Sequence, residues 1–180
     1  WAVACAAGCG GAQTAPASAT PPAGLDAVAL MRDEVLPRFD LLRSADGGPA
    51  ASGAAPGRAD PRRDAALRQA ARHFWDAEKN PRRAAKLRRL AGHSLDAATR
   101  RTTDWAHLSE ALLLDAFVEH RAGHADAARR SLDALFALPS APAELTHCGR
   151  ILAGEIELLR SRYDDGLQQL RWVIVELDSA

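Results

Sequence analysis

From residue 62 almost to the end of the chain, apolar residues recur three and four positions apart, broken only by short stretches holding Pro, Gly or Asn. That spacing gathers them on one side of a 3.6-residue helix and leaves no period-two alternation for a half-buried strand. "RRDAALRQAARHFWDAEK" sets Ala66, Leu67, Ala70, Ala71, Phe74 and Trp75 along one stripe. Even the β-branched "WVIVEL" near the end continues a helical stripe. The reading is all-α. Alanine density carries little of it. Two lysines against many arginines, with abundant Ala, Gly and Pro, point to GC-rich coding rather than helix propensity.

Boundary signals divide this region. Asn80 before Pro81 predicts a helix start, with Asn as cap and Pro at the first helical position. The stripe after it is Ala84, Leu87, Leu90, Ala91 and Leu95, which should face the core. Thr103 is the expected cap of the next helix, in which Trp105, Leu108, Leu112, Ala116 and Phe117 share a face. Gly123 should end that helix. A shorter helix then stops at Pro139, and two more follow the break "PSAPAE".

Laid under one another, the helices form pairs. In "RAGHADAARRSLDALFALPSAP", Gly123 falls at a turn, Ala128 and Leu132 take a small and a large position, and Pro139 closes the unit. In the last pair Gly154 and Gly166 are the small residues, Tyr163 opens the second helix, and Leu170 is the large one. Residues 62–98 form a third pair, with Asn80 at the turn and Ala85 at the small position. Small residues let helices cross closely while large ones fill the groove alongside. Over residues 62–178 this pattern resembles the tetratricopeptide repeat. Its turns lie 43 and 38 residues apart, against about 34 in that family. The resemblance implies antiparallel hairpins stacked as a short solenoid, a surface that holds a peptide or partner helix. An unrelated helical bundle fits the same spacing.

The other end of the chain has a different texture. "WAVACAAGC" is a small apolar leader, and "GGAQTAPASATPPAG" after it has neither charge nor a large apolar residue. Such a segment cannot bury enough surface to offset its ordering entropy. The leader resembles the lipobox of bacterial lipoproteins, with Ala6, Ala7 and Gly8 preceding Cys9 and Ala6 standing where that family usually has leucine. The resemblance implies that Cys9 carries the lipid, residues 1–8 are a signal-peptide remnant, and residues 9–24 form a flexible tether. Cys5 is a second position of the same kind. A plain secretion leader, or an ordinary tail, fits the same small residues. Gly10, where no aspartate stands, implies by resemblance to enterobacterial sorting an outer-membrane lipoprotein facing the periplasm. Residues 25–43, with Leu25, Val28, Ala29, Val35, Leu36, Phe39 and Leu42, predict an N-terminal helix kinked at Pro37. Residues 44–61 read as a linker.

Net charge is zero, but residues 58–101 hold thirteen basic and five acidic side chains, and residues 102–180 hold seven and thirteen. The basic excess peaks in "NPRRAAKLRR". Arg82, Arg83, Lys86 and Arg89 fall at i, i+1, i+4 and i+7, one side of a helix. This is a solvated face that balances the acidic half, or a contact for an acidic partner or anionic lipid headgroups. Nucleic acid is not expected of an exported protein.

Catalytic and metal motifs are missing: there is no G-x-S-x-G, Walker loop, H-E-x-x-H or paired C-x-x-C. His120 and His124 have a metal-ligand spacing, but Gly123 breaks the helix between them and no third ligand is evident. Cys148 lies among apolar positions and reads as an inert buried thiol. The expectation is therefore a non-enzymatic, cofactor-free, lipid-anchored envelope adaptor that binds a protein or peptide partner. A regulatory lipoprotein that modulates an envelope sensor or secretion system through a non-repeat bundle is the alternative. No small-molecule substrate is indicated.

Overall fold

A computed structural model describes Arg58 and residues 60–178. Cys9, the tether, the helix expected over 25–43 with its kink at Pro37, and most of the 44–61 linker lie outside the described residues. The described chain is all-α: α1 (Pro61–Lys79), α2 (Ala84–Thr99), α3 (Leu108–Arg121), α4 (Ala125–Phe136), α5 (Ala143–Leu159) and α6 (Tyr163–Asp178). One isolated bridge, Arg58 with Trp105, is the only extended pairing among the described residues.

Helix α1 begins with Asp60, whose carboxylate accepts from the Arg62 and Arg63 amides at 3.0 and 3.3 Å. These orphan donors need an acceptor, and Pro61 at the first helical position has no donor to lose. The Arg63 amide, foremost among these bonds, holds the Asp60 carboxyl below its usual range. The Arg63 guanidinium also donates to the carbonyls of Ala98 and Arg100, tying the start of α1 to the end of α2. Leu67, Ala70, Ala71, Phe74 and Trp75 are buried, as their spacing predicts.

Two expected boundaries move, each because the backbone has a competing partner. The Asn80 amide closes α1 on the Ala77 carbonyl, and the Asn80 carbonyl accepts from Arg83 at 3.0 Å, so 80–83 is a turn. Helix α2 therefore starts at Ala84 rather than Pro81, without a side-chain cap. Its inner face is Ala84, Ala91, Leu95 and Ala98; Ala85, placed at the small position by sequence, is exposed, and Leu90 is exposed as well. Thr103 does not cap α3. Trp105 is buried, its Nε1 donates to Asp64 Oδ1 at 2.9 Å, and the backbone on either side of it bonds to Arg58. Those contacts hold residues 104–106 out of helical geometry, so α3 starts at Leu108.

The helices associate as consecutive pairs, α1 with α2, α3 with α4 and α5 with α6, and each pair touches the next. Helix α3 is central. It meets α1, α2, α4 and α5 and is buried at Leu108, Ala111, Leu113, Leu114, Ala116, Phe117 and Val118. A helix buried this far round needs apolar residues on nearly every side, and "LSEALLLDAFVEH" supplies them. Gly123, with φ of 86°, makes the turn into α4 that its position predicts. Ala128, Leu132 and Leu135 then enter the core. Across α4, α5 and α6 the Arg150 guanidinium lies 4.0 Å from the Phe136 ring centroid and 4.8 Å from that of Trp172. It also donates to Gln169 Oε1 at 2.8 Å.

Candidate functional site

A groove of about 1300 Å³ runs between α2, α3 and α4. Helix α2 presents Arg89, Gly92 and His93, α3 presents Leu112, Asp115 and Glu119, and α4 presents Ala127, Arg130 and Ser131. Gly92 opens the wall: an added Cβ there would find nothing closer than Glu119 Oε1 at 3.9 Å. Below it, Ser131 Oγ donates to Asp115 Oδ2 at 2.6 Å. Burial pushes the Asp115 carboxyl up, the Ser131 bond opposes this, and the charges of Glu119 and Asp96 add to it.

Most charges along the groove are already matched. Arg88 reaches Glu78 at 3.0 Å and donates to the Arg121 carbonyl, Arg100 pairs with Asp96 at 2.6 Å, and His124 meets Glu119 at 2.7 Å. Arg89 and Arg130 are exposed on opposite sides, and neither has an ion-pair partner among the described residues. The groove therefore presents positive charge at its edges.

The basic residues singled out by sequence divide here. Arg82 and Arg83 sit in the turn before α2, exposed and off the helix. Lys86 is exposed on α2 away from the groove, and Arg89 alone of the four lines it. Arg130, Asp115 and Ser131 escaped sequence reasoning, because nothing in a linear pattern says that α2 and α4 flank one cleft. His120 and His124 go to separate carboxylates, Glu155 at 3.2 Å and Glu119 at 2.7 Å. No group of three metal-ligating side chains is present among the described residues. Burial pushes the Cys148 thiol up to about 12, so it is protonated and inert, as expected of a packed thiol. Near α5 and α6 a smaller polar pocket surrounds buried Glu157, which Arg162 at 2.6 Å and Arg129 at 3.5 Å neutralise.

A second cluster lies at the start of α3, where His107 Nδ1 is 3.0 Å from Glu110 Oε1. Burial opposes charging of His107, but the Glu110 hydrogen bond and charge, with Asp64 behind them, raise it overall. A histidine raised in the folded state stabilises fully below its unfolded value near 6.5, and the contribution is lost as pH rises through the folded value. We expect the thermal midpoint to fall between about pH 6 and pH 8, and Glu110→Gln to flatten that slope. Equal slopes in the two proteins would show that the pair does not couple to folding. Asp115 acts in the same direction at lower pH and is common to both proteins, so the difference isolates His107.

Among the described residues no helix is long and apolar enough to cross a membrane. No family model, no curated protein and no solved structure matches this chain.

Proposed function

We propose that this protein is a lipid-anchored cell-envelope adaptor that holds an acidic protein segment in the groove between α2, α3 and α4. In this reading Cys9 carries the lipid and faces the chain to the periplasm from the outer membrane. The three hairpins act as a short tetratricopeptide-like stack. The observation that carries the reading is the groove itself. Its volume of about 1300 Å³ exceeds the ~300–1,000 Å³ of small-molecule sites, and its edges carry Arg89 and Arg130 without internal partners. A basic-edged cleft of this size suits a peptide or helix with acidic side chains, drawn in by charge and held by the apolar stems. The central burial of α3 favours the second architecture, a non-repeat bundle that regulates an envelope sensor or secretion system. The groove would serve either.

The test is co-precipitation of crosslinked partners from membranes bearing the full chain. Arg89→Gln with Arg130→Gln should reduce capture several-fold at low salt, and the two proteins should converge as salt screens the charges. Arg82, Arg83 and Lys86, changed together to glutamine, should matter less, because they lie outside the groove. Cys9→Ala should release the protein from the membrane fraction. Capture that ignores both salt and the groove arginines removes the reading, and a larger loss from the outer three transfers it to the α2 turn.

A further inference from the structure

Among the described residues, large exposed apolar side chains gather on the last hairpin. Leu159 ends α5, and Tyr163, Leu167, Ile174 and Val175 stand on α6; Leu90 is the one far from it. Tyr163, Leu167 and Ile174 are 62, 56 and 59% exposed. With half-buried Leu170 they fall at i, i+4, i+7 and i+11, a continuous stripe along α6. Helix α6 packs chiefly against α5, which Leu170 meets at Gly154, while Tyr163, Leu167 and Ile174 stay exposed beside that contact.

The same chain carries a second apolar stripe in search of a surface. Residues 25–42 place Leu25, Val28, Leu36, Phe39 and Leu42 at helical spacing. An isolated helix of that length is marginal in water and gains its stability by burying such a face. The twelve residues 25–36 ahead of Pro37 would make about 18 Å of helix before the expected kink, within the about 24 Å of the sixteen-residue α6. We propose that residues 25–42 dock along the Tyr163–Leu167–Ile174 stripe and cover the open flank of α6.

The chain between them is long enough to reach. Arg58 is fixed beside the start of α3 by its backbone bonds to residues 104 and 106. From α3 the contacts run through α5 to α6, two helix spacings or about 20 Å. Residues 44–57, fourteen in number, can reach at most about 45–50 Å. A segment held on such a tether is present at an effective concentration in the millimolar range. A second copy of the chain at micromolar concentration cannot compete with it for the same stripe. The stripe lies on a different hairpin from the groove's α2 and α4, so this docking stands whatever the groove binds.

Hydrogen exchange with mass spectrometry on the full chain tests the docking, alongside light scattering for oligomeric state. Amides of residues 25–42 should exchange at least about tenfold more slowly than an unstructured chain. Leu167→Glu with Ile174→Glu should abolish that protection, and so should Leu36→Glu with Phe39→Glu. The first pair is exposed, so circular dichroism should retain the six described helices. Absent protection in the unaltered chain overturns the proposal, as does protection that survives Leu167→Glu with Ile174→Glu. A concentration-dependent dimer that those changes disperse, with residues 25–42 unprotected, assigns the stripe to a second copy instead.

Discussion

Phe117→Ala lowers the unfolding free energy by about 3–5 kcal/mol, the range for removing a buried aromatic ring. Phe117 is fully buried on the central helix α3, and its ring centroid is 6.4 Å from that of Phe74 on α1. Phe74 in turn meets Trp75 edge-on at 4.9 Å. The ring joins two hairpins, because α1 and α3 belong to different pairs. The helices that wall the site are themselves held by their partners, so the void cannot collapse cheaply and the cavity cost adds to the lost burial. For a domain of this size the thermal midpoint should drop by roughly 10–20 °C. Leu159→Ala is the control. That side chain is 71% exposed, and its loss should stay within about 0.5 kcal/mol. A Phe117→Ala protein that melts like the control would show that α1 and α3 are not packed through this ring.

Gly166→Leu should separate α6 from α5. A Cβ at Gly166 would stand 2.8 Å from Leu158 Cγ and 3.1 Å from the Gly154 carbonyl oxygen. The Leu158 side chain can turn aside, but the Gly154 backbone cannot move without shifting α5. Replacing a helical glycine ordinarily stabilises by up to ~1 kcal/mol through propensity, and Gly166 stands in the first turn of α6. Overpacking costs about 1–3 kcal/mol and rises with side-chain size. For alanine the two effects nearly cancel; for leucine the clash wins. Because α6 is the last described helix and rests chiefly on α5, the damage should be local. Amides of α6 should lose exchange protection by tenfold or more, while those of α1 to α3 keep theirs. Uniform protection along the whole chain would show that the two glycines do not meet at a close crossing.

Helical periodicity, turn glycines and the small residues at crossings are local properties, and they were legible. Leu67, Phe74, Leu95, Phe117 and Leu132 lie in the core because amphipathic spacing leaves one face to bury. Gly123 has the positive φ that ends α3, and Gly154 and Gly166 do face each other, since only a missing Cβ permits that approach. Cap signals were less dependable. Thr103 and Asn80 have good capping chemistry, yet the bonds of Trp105 with Asp64, of Asp104 and Ala106 with Arg58, and of Asn80 with Ala77 and Arg83, set the boundaries. At Thr103 a cap would contribute about 1 kcal/mol, less than burying an indole, so the tertiary contact prevails there, whereas at Asn80 the competing bonds are local.

The sequence by itself determined an all-helical chain, the order of its six described helices and their grouping into hairpins, because each depends on residues a few positions apart. Only the tertiary structure decided which side of α2 faces inward, that Arg89 shares a cleft with Arg130, and that Ser131 holds Asp115 beneath it. Those relations join residues on separate helices. They follow from how whole faces pack, a sum over many weak contacts that no single stretch of sequence encodes.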